Sequence, residues 1–347
     1  MRKVPLGRSG LMVSEICLGS MTWGTQNTEA EAHDQIAMAA EHGVNFIDTA
    51  EMYPTNPVAA ETMGRTEEYI GSYFAASGRR DDWIVATKIT GEGQKAVRDG
   101  ALITPQTFTE AVEGSLRRLR TDVIDLYQIH WPNRGSYHFR QHWDYDPSGQ
   151  DRQQTLDHMR AILETAQGLV EAGKIRHFAL SNETAWGTAQ WLRLSDETGL
   201  PRVQSIQNEY SLLCRHFDTD LAELSVNEDV TLLAYSPLAT GLLTGKYAGD
   251  VIPEGTRRSR NATLGGRITP RVFEAVAAYL GIANTHGLDP AQMALAWLRA
   301  RPFPVIPIIG ATNLNQLATV LTSVDLDLGD AVLRDIGRAH RAHPMPY

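Results

Sequence analysis

The chain has 347 residues with 32 basic and 41 acidic side chains, and its formal net charge of −9 offers no broad attraction to nucleic acid. Its two cysteines, Cys17 and Cys214, support neither a disulfide framework nor a cysteine-based metal site, so a reducing, cytoplasmic setting is expected. No apolar run approaches the ~20 residues that span a bilayer, and the first residues lack the apolar stretch of a signal peptide, so we expect no membrane contact.

Short apolar runs alternate along the chain with longer segments of helical spacing. Residues 3–13 predict a hairpin that turns at Arg8–Gly10. Eight strand–helix units are then predicted at residues 15–19 with 28–42, 44–48 with 66–76, 83–88 with 105–119, 124–130 with 155–172, 175–181 with 183–198, 203–208 with 218–227, 230–235 with 237–246, and 304–309 with 313–323. An extra helix is predicted at residues 270–286. Eight such units favour parallel strands closed into a (β/α)8 TIM barrel, an α/β fold.

Two alternatives bear on this architecture. An open doubly wound sheet also has alternating strands and helices, but no G-x-G-x-x-G turn follows the first strand. The length would also allow two domains, although barrels commonly reach it as one unit and no linker-like stretch interrupts the chain. We expect one domain covering residues 1–347.

Two connections are longer than the repeat requires. Residues 132–154 carry Tyr137, Phe139, Trp143 and Tyr145 among polar residues, and long connections with aromatic side chains are usually functional. The second connection, residues 248–267, carries Arg257, Arg258 and Arg260 beside glycines. We expect the first to enclose a substrate and the second to bind an anion, although a solvated basic loop would have the same composition.

Four polar side chains, Asp48, Tyr53, Lys88 and His130, are called the polar quartet here. Three of them end strand-like runs, and the carboxyl ends of parallel strands meet at one face of a barrel. An ammonium beside a phenol lowers the phenol's pKa from its usual value of about 10, so Lys88 could prepare Tyr53 for proton transfer. Asp48 would keep Lys88 charged, and His130 would orient a carbonyl oxygen.

Each member of the polar quartet also has an ordinary structural explanation. A strand-end aspartate often caps the next helix, a lysine is more often solvated, a loop tyrosine often packs, and a strand-end histidine is often a satisfied structural residue. Only the joint occurrence of the four at one predicted face favours a site.

Five ordered motifs extend this pattern. They are Gly43–Tyr53, Glu67–Gly71, Ile84–Lys88, Ser115–Leu119 and Asp125–His130. In sequence and order they resemble the aldo-keto reductase superfamily over nearly the whole chain. Within that family the chain is most similar to the branch of bacterial Tas-type reductases and potassium-channel β-subunits.

The resemblance implies roles for individual residues. Tyr53 would be the general acid, Lys88 and Asp48 would tune it, and His130 would orient the carbonyl. The residues implied to bind a nicotinamide cofactor are Ser181, Asn182, Gln207 and Tyr235 at the nicotinamide, Ser236, Pro237, Leu238, Gly241, Leu242 and Lys246 along the pyrophosphate, Arg257 at the 2′-phosphate, and Gly310, Thr312 and Gln316 around the adenosine. Trp23 and Trp131 match substrate-side positions.

These roles predict reduction of small, partly apolar aldehydes or ketones. NADPH is favoured over NADH, although Thr319 and Val320 stand where the family usually has Glu-Asn beside the adenine. A nucleotide-binding regulatory subunit with a redox-sensing role is the alternative. A metal-dependent hydrolase is disfavoured and no metal is expected, because only Asp48 and His130 are candidate strand-end ligands.

Overall fold

The computed structural model describes residues 1–347 and has a closed barrel preceded by a hairpin. Strands β1 (Lys3–Pro5) and β2 (Met12–Ser14) pair antiparallel. Their turn lies across the amino ends of two barrel strands, where the Gly7 N–H donates to Thr231 Oγ1 at 2.9 Å and the Arg8 N–H to Gln204 Oε1 at 2.9 Å. Apolar hairpin residues pack on the barrel interior and close that end, so only the carboxyl ends of the strands face an open mouth.

Eight parallel strands form the barrel wall. They are β3 (Cys17–Gly19), β4 (Phe46–Asp48), β5 (Ile84–Ile89), β6 (Ile124–Ile129), β7 (Ile175–Ser181), β8 (Val203–Glu209), β9 (Thr231–Tyr235) and β10 (Val305–Ile309). Each strand pairs with the next, and β10 closes the ring by pairing Ile308 with Cys17 of β3. The predicted TIM barrel and its N-terminal hairpin are therefore confirmed.

Eleven α-helices surround the barrel or extend it. They are α1 (Glu29–Glu41), α2 (Arg65–Ser77), α3 (Pro105–Leu119), α4 (Arg152–Glu171), α5 (Ala185–Thr198), α6 (Asp220–Glu228), α7 (Arg257–Arg260), α8 (Val272–Thr285), α9 (Pro290–Arg299), α10 (Leu314–Leu321) and α11 (Asp330–Ala342). Local chemistry sets several starts: Thr28 and Glu31 form a capping box at α1, and Asp289 caps α9 with Pro290 at its first position. The main apolar core lies between these helices and the barrel.

The predicted helix at residues 237–246 is wrong. The chain there forms irregular 3₁₀ turns over Ala239–Thr244, and both Thr240 (φ 57°) and Gly241 (φ 98°) lie in the left-handed region, which interrupts an α-helix. Apolar residues at helical spacing misled the prediction, since Leu242 and Leu243 are buried in the core without belonging to an α-helix. The crossover from β9 to β10 instead uses α9, which the sequence reading did not assign as a helix.

The long connection before α4 contains neither helix nor strand. Residues 132–151 are called the aromatic loop below, and they begin immediately after the site residues His130 and Trp131. No helix in the structure combines the length and apolar character needed to cross a membrane.

Candidate active site

The structure brings the polar quartet together at the open mouth of the barrel. Asp48 is the last residue of β4, Lys88 is the penultimate residue of β5, and His130 follows β6 directly. Tyr53 lies in the loop after β4. All four are buried among the strand ends, as their predicted positions require.

Asp48 and Lys88 form a buried ion pair with both carboxylate oxygens occupied. Lys88 Nζ donates to Asp48 Oδ2 at 2.7 Å and to the Thr49 carbonyl at 2.7 Å. Asp48 Oδ1 accepts from Gln207 Nε2 at 2.8 Å and from Gln128 Nε2 at 3.1 Å. Burial alone would favour the neutral amine, but the Asp48 carboxylate outweighs it and raises the pKa of Lys88 above its ordinary value.

Tyr53 lies beside this ion pair. Lys88 Nζ is 5.0 Å from the centroid of the Tyr53 ring, and the His130 ring meets it edge-on with 5.8 Å between centroids. Burial raises the pKa of the Tyr53 phenol, although the Lys88 ammonium acts in the opposite direction as expected. The expected net lowering of this pKa is therefore wrong, because desolvation of the phenolate outweighs the ammonium. Tyr53 carries its proton at neutral pH.

His130 is a neutral imidazole in this setting. Burial, together with the nearby Lys88 charge, holds the pKa of His130 well below its usual range. Its Nδ1 is buried without a hydrogen-bond partner. A neutral ring has one N–H donor and can therefore hydrogen-bond a carbonyl oxygen.

The four residues predicted at the nicotinamide form one hydrogen-bonded group. Asn182, in the left-handed region (φ 51°), donates from Nδ2 to the His130 carbonyl at 2.9 Å and accepts at Oδ1 from Tyr235 Oη at 2.8 Å. Ser181 Oγ donates to the Gln207 carbonyl at 2.8 Å. Because Gln207 also contacts Asp48, this group and the polar quartet share one hydrogen-bond network.

The residues predicted along the pyrophosphate and adenosine lie on two neighbouring loops, after β9 and after β10. Gly241 (φ 98°) has a backbone conformation that residues with a side chain rarely adopt, and an added Cβ would lie 2.5 Å from Lys246 Cε, so the lysine side chain would have to shift. Leu242 turns its side chain into the core, so only its backbone is available to a ligand. After β10, Thr312 Oγ1 donates to Gln316 Oε1 at 3.1 Å, and the remaining member, Gly310, follows the strand directly.

Arg257 differs from the arginines around it. Arg258 pairs with Asp250 and Arg267 with Glu209, whereas the nearest polar contacts of the partly buried Arg257 guanidinium are at 3.9 and 4.0 Å to Met21 Sδ. Burial, with the nearby Arg267 charge, lowers the pKa of Arg257 to about 10. A partly buried guanidinium without a carboxylate partner is suited to an anion.

The two tryptophans predicted on the substrate side occupy different environments. Trp131 belongs to the small apolar cluster around Tyr53, and its ring centroid lies 5.0 Å from that of His130 and 5.7 Å from that of Phe139. Trp23 is fully buried, and its Nε1 donates to Gln35 of α1 at 3.1 Å. This geometry favours helix packing for Trp23 over a substrate contact.

Sequence reasoning missed Met21, Gln128 and Glu209. Met21 belongs to the apolar cluster of Tyr53 and touches Arg257, and Glu209 ends β8 with three side-chain donors around it. The strand-end rule that found the polar quartet could have found Met21 and Glu209. No group of three or more histidine, cysteine or carboxylate side chains is placed to hold a metal ion.

Comparison with known proteins decides the family. The model of the Aldo/keto reductase family matches residues 15–340. The chain belongs to this family. It is 44% identical over 349 residues to Protein tas of Escherichia coli, covering 97% of each chain. It is 31% identical to the uncharacterized oxidoreductase YrpG of Bacillus subtilis, covering 95% of this chain and 93% of that protein, and 30% identical to a probable voltage-gated potassium channel subunit beta of Arabidopsis thaliana, covering 92% and 90%.

These relatives confirm the resemblance inferred from the motifs, including both branches. Membership in the aldo/keto reductase family supports an oxidoreductase that uses NAD(P)H and acts on small carbonyl compounds. The residue-level roles within this aldo/keto reductase remain predictions.

The contrast between Trp23 and Met21 predicts different variant behaviour. Trp23→Phe should lower the free energy of unfolding by about 1–3 kcal/mol, because it loses a buried hydrogen bond and leaves a small void. It should leave the KM of a test aldehyde within about 2-fold of wild type. Met21→Ala, the matched change beside Tyr53, should raise that KM. Urea denaturation and steady-state kinetics test both variants. A KM increase in Trp23→Phe equal to that of Met21→Ala would instead support the predicted substrate contact of Trp23.

Proposed function

We propose that residues 1–347 act as one domain that reduces aldehydes or ketones to alcohols with NADPH, and that Tyr53 donates the proton. The observation that carries this proposal is a protonated, buried Tyr53 beside the Asp48–Lys88 ion pair and the neutral His130 ring. A proton donor, a cation to stabilise its conjugate base and a carbonyl-orienting imidazole meet at one point. Such a group suits proton delivery to a carbonyl oxygen.

The chain's own residues perform the proton half of the reaction. His130 donates a hydrogen bond to the carbonyl oxygen and fixes its direction, which brings that oxygen within reach of the Tyr53 hydroxyl. Tyr53 releases its proton to the oxygen as negative charge develops there. Lys88 then stabilises the phenolate, and Asp48 holds Lys88 charged and in place. The high resting pKa of Tyr53 keeps the proton available until charge appears on the substrate.

The cofactor chemistry fits residues that are already assembled. Bound NADPH supplies the hydride that the carbonyl carbon receives. Ser181, Asn182 and Gln207 provide the polar groups for the carboxamide, and Tyr235 an aromatic face for the ring. The unpaired Arg257 guanidinium fits the 2′-phosphate that distinguishes NADPH from NADH.

The proposed substrate side is apolar. Trp131 and Met21 share the apolar cluster of Tyr53, and Phe139 of the aromatic loop packs edge-on against Trp131. These walls suit small carbonyl compounds with an apolar substituent.

A second function has support among the relatives. The chain is similar over 92% of its length to a probable potassium-channel β-subunit, so a nucleotide-binding regulatory role is the alternative. Slow or absent turnover with tight NADPH binding would characterise that role. The complete polar quartet favours catalysis.

A steady-state assay separates the two functions. We expect purified protein to oxidise NADPH in the presence of benzaldehyde or a nitrobenzaldehyde, and to form one alcohol for each NADPH consumed. The loss of NADPH absorbance and the alcohol product are measured together. Tight NADPH binding without turnover on any aldehyde in a broad panel would overturn the enzyme and favour the regulatory role.

Tyr53→Phe tests the proton donor. The variant should lose about 10²-fold to 10⁴-fold in kcat for aldehyde reduction, the usual contribution of a positioned acid, while its NADPH Kd stays within about 2-fold of wild type. Tyr69→Phe on α2 is the matched control and should keep wild-type kinetics. Unchanged turnover in Tyr53→Phe would remove Tyr53 as the acid.

Arg257→Met tests the preference for NADPH. Loss of a charge-assisted contact to the 2′-phosphate should raise the NADPH Kd by roughly 10-fold to 100-fold and leave the NADH Kd nearly unchanged. Arg260→Met, an exposed arginine of the same short helix, is the control. Fluorescence titration gives both constants; an equal loss of NADPH and NADH affinity in Arg257→Met would contradict a phosphate-specific role.

A further inference from the structure

At the mouth of the barrel Glu209 contacts three distant parts of the chain: the aromatic loop, the connection that carries Arg257, and the C-terminal Tyr347. It is the buried last residue of β8, two residues after Gln207. Its Oε2 accepts from Arg140 Nη1 at 2.8 Å, and its Oε1 accepts from Arg267 Nε at 2.8 Å and from Tyr347 Oη at 3.2 Å. Burial favours the neutral carboxyl, but Arg267 and Arg140 outweigh it and lower the pKa of Glu209, so the group is a carboxylate at neutral pH.

The first part is the aromatic loop, which Glu209 holds through Arg140. Both Phe139 (φ 58°) and Arg140 (φ 67°) lie in the left-handed region, which side chains with a Cβ rarely occupy without tertiary support. The Arg140–Glu209 ion pair supplies such support. It also places the neighbouring Phe139 ring against Trp131, 5.7 Å between centroids.

The second part is the stretch from Arg257 to Arg267, called the segment below. A continuous series of turns connects Arg257 with Arg267: the Asn261 N–H donates to the Arg257 carbonyl at 2.9 Å, Leu264 N–H to Asn261 at 3.0 Å, and Arg267 N–H to Thr263 at 3.0 Å. Arg267 then ends on Glu209. A short path of backbone hydrogen bonds therefore joins Arg257 to Arg267, which contacts the carboxylate that holds Arg140.

The two parts also touch directly. The Arg140 guanidinium lies beside Gly265, where an added Cβ would be 3.5 Å from Arg140 Nη2. Trp143 of the aromatic loop stacks under Arg271, with 5.2 Å from the guanidinium carbon to the ring centroid. The aromatic loop thus contacts the segment at Gly265 and the residue that precedes α8 at Arg271.

We propose that Glu209 is a positioning residue that couples phosphate binding at Arg257 to restraint of the aromatic loop at the substrate pocket. The inference rests on the proposed NADPH-dependent function. A phosphate bound to Arg257 restrains the segment between Arg257 and Arg267, and Arg267 in turn restrains Glu209. Arg140, paired with Glu209, then holds Phe139 at the pocket wall. NADH lacks that phosphate and leaves the loop less restrained.

Hydrogen–deuterium exchange of residues 132–151 measures this coupling without requiring turnover. In wild type, saturating NADPH should slow exchange in the aromatic loop by roughly 5-fold or more relative to saturating NADH, within the usual range of coupling between sites. In Glu209→Gln this difference between the two nucleotides should disappear, while each nucleotide still binds. The variant should also raise the KM for benzaldehyde more than it lowers kcat.

Asp125→Asn is the matched control. Asp125 is another buried carboxylate held by two arginines, Arg80 at 2.8 Å and Arg176 at 3.3 Å, but it lies at the opposite end of the barrel near the start of β6. Both this variant and Glu209→Gln should lose stability, but Asp125→Asn should keep the NADPH-specific slowing of exchange. This control separates a positioning role from a general loss of folding.

Three outcomes would overturn the coupling. They are equal exchange of the aromatic loop with NADPH and NADH in wild type, persistence of the difference in Glu209→Gln, and its loss in Asp125→Asn. A double variant gives a further check, because Arg257→Met should raise the benzaldehyde KM in wild type and add nothing in the Glu209→Gln background. Independent, multiplying effects would also reject the proposal. Absence of aldehyde turnover in wild type would instead contradict the proposed function. The exchange result could still be interpreted, because it requires nucleotide binding but no turnover.

Discussion

The buried ion pair between Asp48 and Lys88 is the interaction on which the site depends. Two charges removed from water lose several kcal/mol of hydration each, and their attraction compensates only when the remaining hydrogen-bonding positions are filled. Gln207 and Gln128 fill them on Asp48, and the Thr49 carbonyl does so on Lys88. These partners come from β6, from β8 and from the residue after β4, and the ion pair itself joins β4 to β5. The arrangement therefore requires a closed barrel that brings four strand ends to one place. The same closure fixes Tyr53 and His130 around the ammonium.

The barrel determines which end carries this chemistry. The N-terminal hairpin covers the amino ends of the strands with apolar side chains, and the polar strand ends face the open mouth. Desolvation there acts in opposite directions on two groups: it raises the pKa of Tyr53 and lowers that of His130, so both are neutral while Lys88 is charged. A site with one retained charge between two neutral hydrogen-bonding groups is poised to respond to charge that develops on a substrate.

Much of the site could be predicted, because the residue that ends a strand can be recognised from the local sequence. In a parallel barrel all such residues lie at the same face and therefore close together. The polar quartet was found in this way. The substrate-side position of Trp23 stays a prediction, because the turn after β3 decides which neighbouring side chain faces the site. That turn directs Trp23 toward Gln35 and Met21 toward Tyr53. The helix predicted at residues 237–246 failed because its apolar spacing reflects burial of irregular turns. The contacts of Glu209 join residues between 58 and 138 positions away, which no local pattern contains.

Asp48 and Glu209 have the same kind of position but serve different purposes. Each is a buried carboxylate at the end of a strand, paired with cations that come from other segments. Asp48 uses a single lysine on the adjacent strand, which yields a rigid charge for chemistry. Glu209 uses two arginines on long connections, so its charge restrains parts of the chain that have no secondary structure of their own. Arg140, Arg258 and Arg267 are already paired with carboxylates, which leaves Arg257 as a partly buried arginine that can meet an entering phosphate. Its backbone hydrogen bonds toward Arg267 are the physical basis for the proposed coupling to the aromatic loop.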